Sequence, residues 1–168
     1  FVTTQALAVT VLPLNDNAPV IASNGGGATA ALTVDENSTA VTTVTATDAD
    51  LPAQALTYSI SGGADAARFV IDSNSGALSF VSAPDYEAPA DVGADNVYEV
   101  TVLVSDGAFS DSQALSIAVL PVNDNEPIIT SHGGPTTPVI GVNENDTLVA
   151  TIAALDADLP AQTLTFAI

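Results

Sequence analysis

Carboxylate and carboxamide side chains recur in short clusters along this chain, and these clusters are where chemistry could occur. Four of them are Asn15-Asp16-Asn17, Asp48-Ala49-Asp50, Asp85-Tyr86-Glu87 and Asn123-Asp124-Asn125. Oxygen ligands of this kind suit hard cations, above all Ca²⁺, whereas transition metals prefer His or Cys. The chain has no Cys and one His, so its residue types favour a calcium site over a zinc or copper site.

The composition combines a high negative charge with a high apolar content. The 168 residues include 20 Asp and Glu against one Lys or Arg, for a net charge of −19, yet 47% of the residues are hydrophobic. This apolar content predicts a folded protein and not a disordered acidic tail. The charge argues against nucleic-acid partners. The absence of Cys excludes a disulfide framework, and no apolar run is long enough to predict a transmembrane segment.

The sequence repeats itself after 108 residues. Positions 18–60 and 126–168 are identical at 23 of 43 places without a gap, and the Asn-Asp-Asn cluster recurs in the same register. Such a period predicts tandem structural units. We assign 1–17 to the last strand and linker of a preceding repeat, 18–125 to one complete repeat with its linker, and 126–168 to the first part of the next.

The complete unit has the pattern of an all-β protein. Thr, Val and Ile alternate with polar residues, and Gly, Asn, Asp and Pro interrupt the pattern about every ten residues. This favours a seven-stranded Greek-key sandwich of the immunoglobulin-like type. The predicted strands are 19–22 with 30–34, 41–46, 56–61, 68–72, 77–81, 97–104 and 112–120.

Antiparallel strands place the acidic turns at the two ends of such a sandwich. Asp35-Glu36, 85–87 and 123–125 fall at the lower end, whereas 15–17, 48–50 and Asp106 fall at the upper end. A following unit stacked below brings its own acids to the lower end. The carboxylates that converge there are Glu36, Asp85, Glu87, Asp124, Asp156 and Asp158. Six such charges need cations, and three Ca²⁺ would balance them.

The remaining acids and the single histidine carry less information. We predict that Asp65, Asp72, Asp91, Asp95 and Asp111 are solvated turn residues. Asp85 and Glu87 could be a catalytic carboxylate pair, but residues two apart in an extended segment share a face and hardly bracket a sugar. His132 has no Cys or repeated partner for a triad. The sequence therefore predicts that the protein is not an enzyme.

Five motifs occur in a fixed order along the complete unit. They are Asp35-Glu36-Asn37, Asp48-Ala49-Asp50, Asp85-Tyr86-Glu87, Ser105-Asp106-Gly107 and Asn123-Asp124-Asn125-Glu126-Pro127. In this order they resemble the calcium motifs of cadherin repeats. The resemblance implies about three Ca²⁺ per complete junction between repeats.

The resemblance also implies which residues hold these ions. At the lower junction, the first two sites would use Glu36, Asp85, Glu87, Asp124, Asp158 from below, and a backbone carbonyl near Val122. The third site there would use Asn123, Asn125, Asp156 and Asp158, with its last Asp beyond Ile168. At the upper junction, the third site would use Asn15, Asn17, Asp48, Asp50 and Asp106, and Asp16 would serve the first two. Glu144 is the equivalent of Glu36 in the next repeat.

The resemblance implies a rod of repeats, stiffened by calcium and acting in cell adhesion outside the cell or on its surface. The scarcity of Lys and Arg favours a large bacterial surface or secreted adhesin over an animal cadherin. Two alternatives stay open: a structural subunit of an extracellular filament, sheath or matrix, and a carbohydrate-binding module. The expected partners are neighbouring repeats of the same chain, with self-association, including homophilic adhesion, or a cell-surface or glycan ligand as further candidates.

Overall fold

A computed structural model describes residues 1–134 and 138–168, and within them the regular structure is almost entirely β. The strands are β1 Val20–Ile21, β2 Thr29–Asp35, β3 Ala40–Thr43, β4 Ala46–Thr47, β5 Thr57–Gly62, β6 Phe69–Ile71, β7 Ala77–Phe80, β8 Val97–Ser105, β9 Ser110–Leu120, β10 Ile128–Ile129 and β11 Ala154–Leu155. Two single-turn 3₁₀ helices lie at Ala66–Arg68 and Ser131–Gly133. In this described part of the chain, no helix has the length and apolarity needed to cross a membrane.

Two sheets form the complete unit. The larger has the strand order β2-β9-β8-β5, in which β2 runs parallel to β9 and the other pairs are antiparallel. The smaller has the order β3-β7-β6, all antiparallel. β1 pairs with β4 alone. The all-β prediction is confirmed.

The core lies between the two sheets. Along β8 and β9 every second side chain is buried, which is the alternation expected of a sheet with one covered face. Phe69 and Phe80 stack at 4.6 Å between ring centroids, and Tyr98 packs edge-on against Phe80 at 5.1 Å. Each large side chain buried in this way contributes about 1.5–3 kcal/mol.

The predicted strands overlap the observed ones, with two differences. The predicted first strand divides into β1 and β2, which belong to different sheets, and 41–46 divides into β3 and β4. The chain crosses between sheets at 22–28, where Gly25 and Gly26 have φ of +85° and +66°. Glycine adopts this left-handed backbone without steric cost.

The segments outside the complete unit contain less regular structure. Residues 1–14 form no strand and are exposed, in contrast to the strand predicted there. In the complete unit the partners of β9 are β2 and β8, and among the described residues no strand pairs with residues 1–14. In 126–168, β10 pairs with β11 in the register of β1 with β4, shifted by 108 residues.

Candidate calcium centres

The first carboxylate group lies at the lower end of the complete unit. One carboxylate oxygen each from Glu36, Asp85 and Glu87 lies within 4.8 Å of the others. Glu36 follows β2, is only 3% exposed, and accepts hydrogen bonds from the N–H groups of Tyr86 at 2.7 Å and Val122 at 2.6 Å. A single buried carboxylate therefore ties the end of β2 to the 85–87 turn and to the linker.

The second group spans the linker and reaches the following unit. It contains Glu87 of the complete unit, Asp124 of the linker and Asp158 of the next unit, again within 4.8 Å. Asp158 is 1% exposed and accepts from the backbone N–H of Asn125 at 3.0 Å and from its side chain at 2.9 Å. Glu87 Oε1 accepts from the N–H of Leu159 at 2.9 Å. Residues from both units and the linker thus meet in one place.

The third group lies at the upper end, in Asp48, Asp50 and Asp106. Asp50 is 5% exposed and accepts from the backbone N–H groups of Asp16 and Asn17, both at 3.1 Å. Asp50, in the loop after β4, therefore binds the upper linker 15–17 through backbone hydrogen bonds. Asp158, in the equivalent loop after β11, binds the lower linker 123–125 in the same way.

Hydrogen bonds keep several of these carboxyl groups ionised. The side-chain amide of Asn17 lowers the pKa of Asp50, and that of Asn125 lowers the pKa of Asp158. For Asp106, the backbone N–H of Phe109 at 2.7 Å is the main cause of a lowered pKa. These groups are therefore carboxylates, the form that binds a cation, at neutral pH.

One buried carboxylate oxygen of the upper group lacks a hydrogen-bond partner among the described residues. Asp48 Oδ1 accepts from the N–H of Asp50 at 2.9 Å, but Asp48 Oδ2 is buried and has no hydrogen-bond partner in the described residues. A buried carboxylate oxygen without a partner is costly, and a bound cation would satisfy it. The three carboxylates of this group can supply up to six oxygen atoms, and Ca²⁺ takes six to eight oxygen ligands. The residues present fit calcium.

The structure gathers eight of the predicted acids into the three groups and leaves the other predicted residues outside them. Asp156 Oδ1 accepts from the N–H of Asp158 at 3.1 Å, and Glu144 is exposed. Val122 offers its N–H to Glu36. With its amide turned to donate, Asn15 lies 3.1 Å from Asp50 Oδ2 and 3.2 Å from Asp106 Oδ2. The linker residues also lie beside the groups: Asp16 and Asn17 donate to Asp50, Asn125 donates to Asp158, and Asn123 donates to Gln162.

Three polar residues next to the groups are not among the predicted ligands. Gln54 contacts the side chain of Asn15, and Gln162 Oε1 accepts from Asn123 at 2.7 Å. Asn37 donates to Asp124 Oδ2 at 2.6 Å. Gln54 and Gln162 end the identical Asp-Ala-Asp-Leu-Pro-Ala-Gln stretches at 48–54 and 156–162. This repetition beside predicted ligands could have indicated that both glutamines lie near the sites.

The prediction that five further acids are solvated is wrong for three of them. Asp65 is 4% exposed and Asp91 is 7% exposed, and Asp111 is half-buried. Each accepts backbone N–H groups that the sheets leave unpaired, including Val92 and Glu99 for Asp65. Burial is tolerated because those hydrogen bonds replace water. Asp72 and Asp95 are exposed, as predicted.

The fold and these groups can be compared with known proteins. The model of the family described as "Cadherin domain" matches residues 30–120. The chain belongs to the cadherin family. Cadherin repeats are non-enzymatic modules of extracellular ectodomains that pack against neighbouring repeats.

Solved cadherin structures resemble this chain over most of its length. The human desmocollin-1 ectodomain is 27% identical, with a TM-score of 0.58, over 87% of this chain and 28% of that one. Protocadherin gamma B2 extracellular cadherin domains 3–6 are 26% identical (TM-score 0.59; 87% and 36% covered). Human protocadherin-24 EC1-2 is 25% identical (TM-score 0.56; 87% and 62% covered). This cadherin chain therefore spans less than two thirds of each, and no curated protein sequence matches it.

Proposed function

We propose that this chain is a segment of an extracellular rod whose repeats are joined by Ca²⁺ and which serves adhesion. The observation that carries the proposal is the group formed by Glu87, Asp124 and Asp158. These three residues come from one unit, the linker and the next unit. A cation held by all three would fix the relative position of the two units.

Electrostatics explains why a cation would control this junction. Three carboxylates within 4.8 Å repel one another, and the chain offers only Arg68 as a countercharge. Ca²⁺ at this group would replace repulsion by attraction and would draw the units together. Glu36, Asp85 and Glu87 would hold a second ion, and Asp48, Asp50 and Asp106 with Asn15 and Asn17 a third. Val122, Asn123, Asn125 and Asp156 would complete the shells at the lower junction.

The repeat organisation is part of the proposal, with 1–17, 18–125 and 126–168 as successive units. Equivalent hydrogen bonds support it. The N–H of Ala22 donates to the carbonyl of Thr45 at 2.8 Å, and the N–H of the equivalent Thr130 donates to the carbonyl of Ala153 at 2.9 Å. Each acceptor directly precedes the strand, β4 or β11, that pairs with the donor's strand. Extracellular modules commonly bind calcium at about 10⁻⁴–10⁻³ M, so a calcium-rich exterior would keep the sites filled. A bacterial source stays a prediction.

Distance measurements by pulsed electron paramagnetic resonance test the stiffening directly. Because the chain lacks Cys, Ser61→Cys and Thr151→Cys place one spin label on each unit at exposed positions. We expect a narrow distance distribution in calcium and a broad one in chelator. Asp124→Asn is expected to broaden the distribution even in calcium. Identical distributions with and without calcium would refute the stiffening.

A further inference from the structure

Asp111 lies outside the three carboxylate groups but connects two elements that form the upper one. Its Oδ2 accepts from the backbone N–H of Ile21 in β1 at 2.9 Å, and its Oδ1 from Ser112 at 2.8 Å. β1 pairs with β4 alone and has no backbone ladder with β9. A side-chain carboxylate therefore supplies the acceptor that a neighbouring strand would normally supply.

The two connected elements supply different ligands. Asp111 sits opposite Val104 on the β8–β9 hairpin, whose turn carries Asp106. Ile21 lies four residues after Asn17, which is the last residue of the upper linker 15–17. Ile21 pairs with Ala46, and Ala46 lies two residues before Asp48. The Asp111 bond thus joins the hairpin that presents one carboxylate to the strand pair that presents the others.

A second residue of β9 holds the same crossing. Gln113 is fully buried, donates to the carbonyl of Gly27 at 2.8 Å and accepts from the side chain of Asn24 at 3.2 Å. Both side chains project from β9 toward the segment that follows the linker. Of Asp111 and Gln113, only Asp111 accepts a hydrogen bond from Ile21, whereas Gln113 contacts Asn24 and Gly27.

We propose that Asp111 is a positioning residue for the upper calcium site, setting the separation between Asp106 and the Asp48–Asp50 loop through its hydrogen bond to Ile21. This inference rests on the proposed calcium function. Without the bond, the hairpin and β1 move independently, and the cation must assemble the three carboxylates itself. The lower groups contain no residue of β1, β4 or the hairpin turn, so they are unaffected.

Site-specific calcium titration by ¹⁵N NMR on the full chain tests this role. The amide of Asn17 reports the upper group and that of Asn125 the lower one, since each donates to a proposed ligand. Asp111→Val introduces a side chain of similar size that is well tolerated in a strand but accepts no hydrogen bond. We expect the upper midpoint to rise about fivefold, the factor equivalent to one net hydrogen bond, with the lower midpoint unchanged.

Three further variants make the result decisive. Asp111→Asn retains an acceptor without the charge and is expected to keep the wild-type midpoint, and Asp111→Ala is expected to repeat the loss. Asp72→Ala removes an equal charge whose bonds lie within its own turn, and is expected to change neither midpoint. Equal shifts at both reporters, no shift in Asp111→Val, or a shift in Asp111→Asn as large as in Asp111→Val would overturn the positioning role. No calcium response at either reporter in the wild type would instead refute the proposed function.

Discussion

Glu87→Gln perturbs two carboxylate groups with one change. Glu87 belongs to the group with Glu36 and Asp85 and to the group with Asp124 and Asp158. Gln keeps the length of the side chain and one oxygen but removes the charge from both groups. The substitution should therefore weaken two calcium sites and leave the upper one intact.

The expected size of the effect follows from the number of groups. A ligand at ten times its Kd stabilises the folded state by about 1.4 kcal/mol. Three filled groups would contribute about 4 kcal/mol, and about 4 °C of Tm accompanies each kcal/mol in a domain of about 100 residues. We expect calcium to raise the wild-type Tm by about 16 °C and that of Glu87→Gln by about 5 °C, if both weakened sites are empty.

Differential scanning calorimetry at about 10 mM calcium and in chelator measures this difference, because that concentration is about ten times the weak end of the usual Kd range. Glu99→Gln is the matched control, since Glu99 is exposed on β8 and lies outside the three groups. In chelator, Glu99→Gln should melt as the wild type does, and Glu87→Gln should melt at the same or a higher temperature, because it removes a charge from two repelling groups. A full calcium shift in Glu87→Gln, or an equal loss in Glu99→Gln, would refute the reasoning.

Two other predictions concern the stability of the complete unit. Asp91→Asn is expected to lower the free energy of unfolding at neutral pH by about 1–3 kcal/mol, because the carboxylate accepts two backbone N–H groups. Burial by itself would raise the pKa of Asp91, but the hydrogen bonds outweigh burial, and the pKa in the folded state is lower than in the unfolded state. The stabilisation by the carboxylate is therefore present above the unfolded-state pKa and is lost as pH falls through the folded-state pKa. Urea unfolding at about pH 7 and about pH 3 should show a smaller pH difference in the variant than in the wild type; an unchanged difference would contradict it. Gly76→Ala, at φ +72°, places its Cβ against the carbonyl oxygen of Val44 and should cost about 3 kcal/mol, whereas in the control Gly62→Ala the Cβ meets no atom within 4 Å. Equal Tm values for these two variants would contradict the predicted clash.

Much of the fold and of the candidate sites follows from local sequence patterns. Period-two alternation in β8 and β9 predicts both strands and their buried faces, and Tyr98 falls on the buried side. The reversal of chain direction at each turn then assigns every acidic turn to one end. This is why the sequence predicts that residues as distant as Glu36 and Asp85 lie together, as they do in the structure.

The remaining features depend on which backbone groups the sheets leave unpaired, and local patterns do not encode this. Asp65, Asp91 and Asp111 look like ordinary acidic turn or edge residues in the sequence. They are buried or half-buried because N–H groups at strand crossings and loop ends lack sheet partners there. The separation of β1 from β2 has the same origin, since it depends on where the chain crosses between sheets.

Calcium titration of the 168-residue chain by isothermal calorimetry tests the central claim most directly. The three carboxylate groups predict the binding of three Ca²⁺ ions, with half-saturation at about 10⁻⁴–10⁻³ M. With excess chelator in the cell, the heat should equal that of a titration of the same chelator without protein. Titration without any heat of binding, together with an unchanged melting temperature, would contradict a calcium-joined rod.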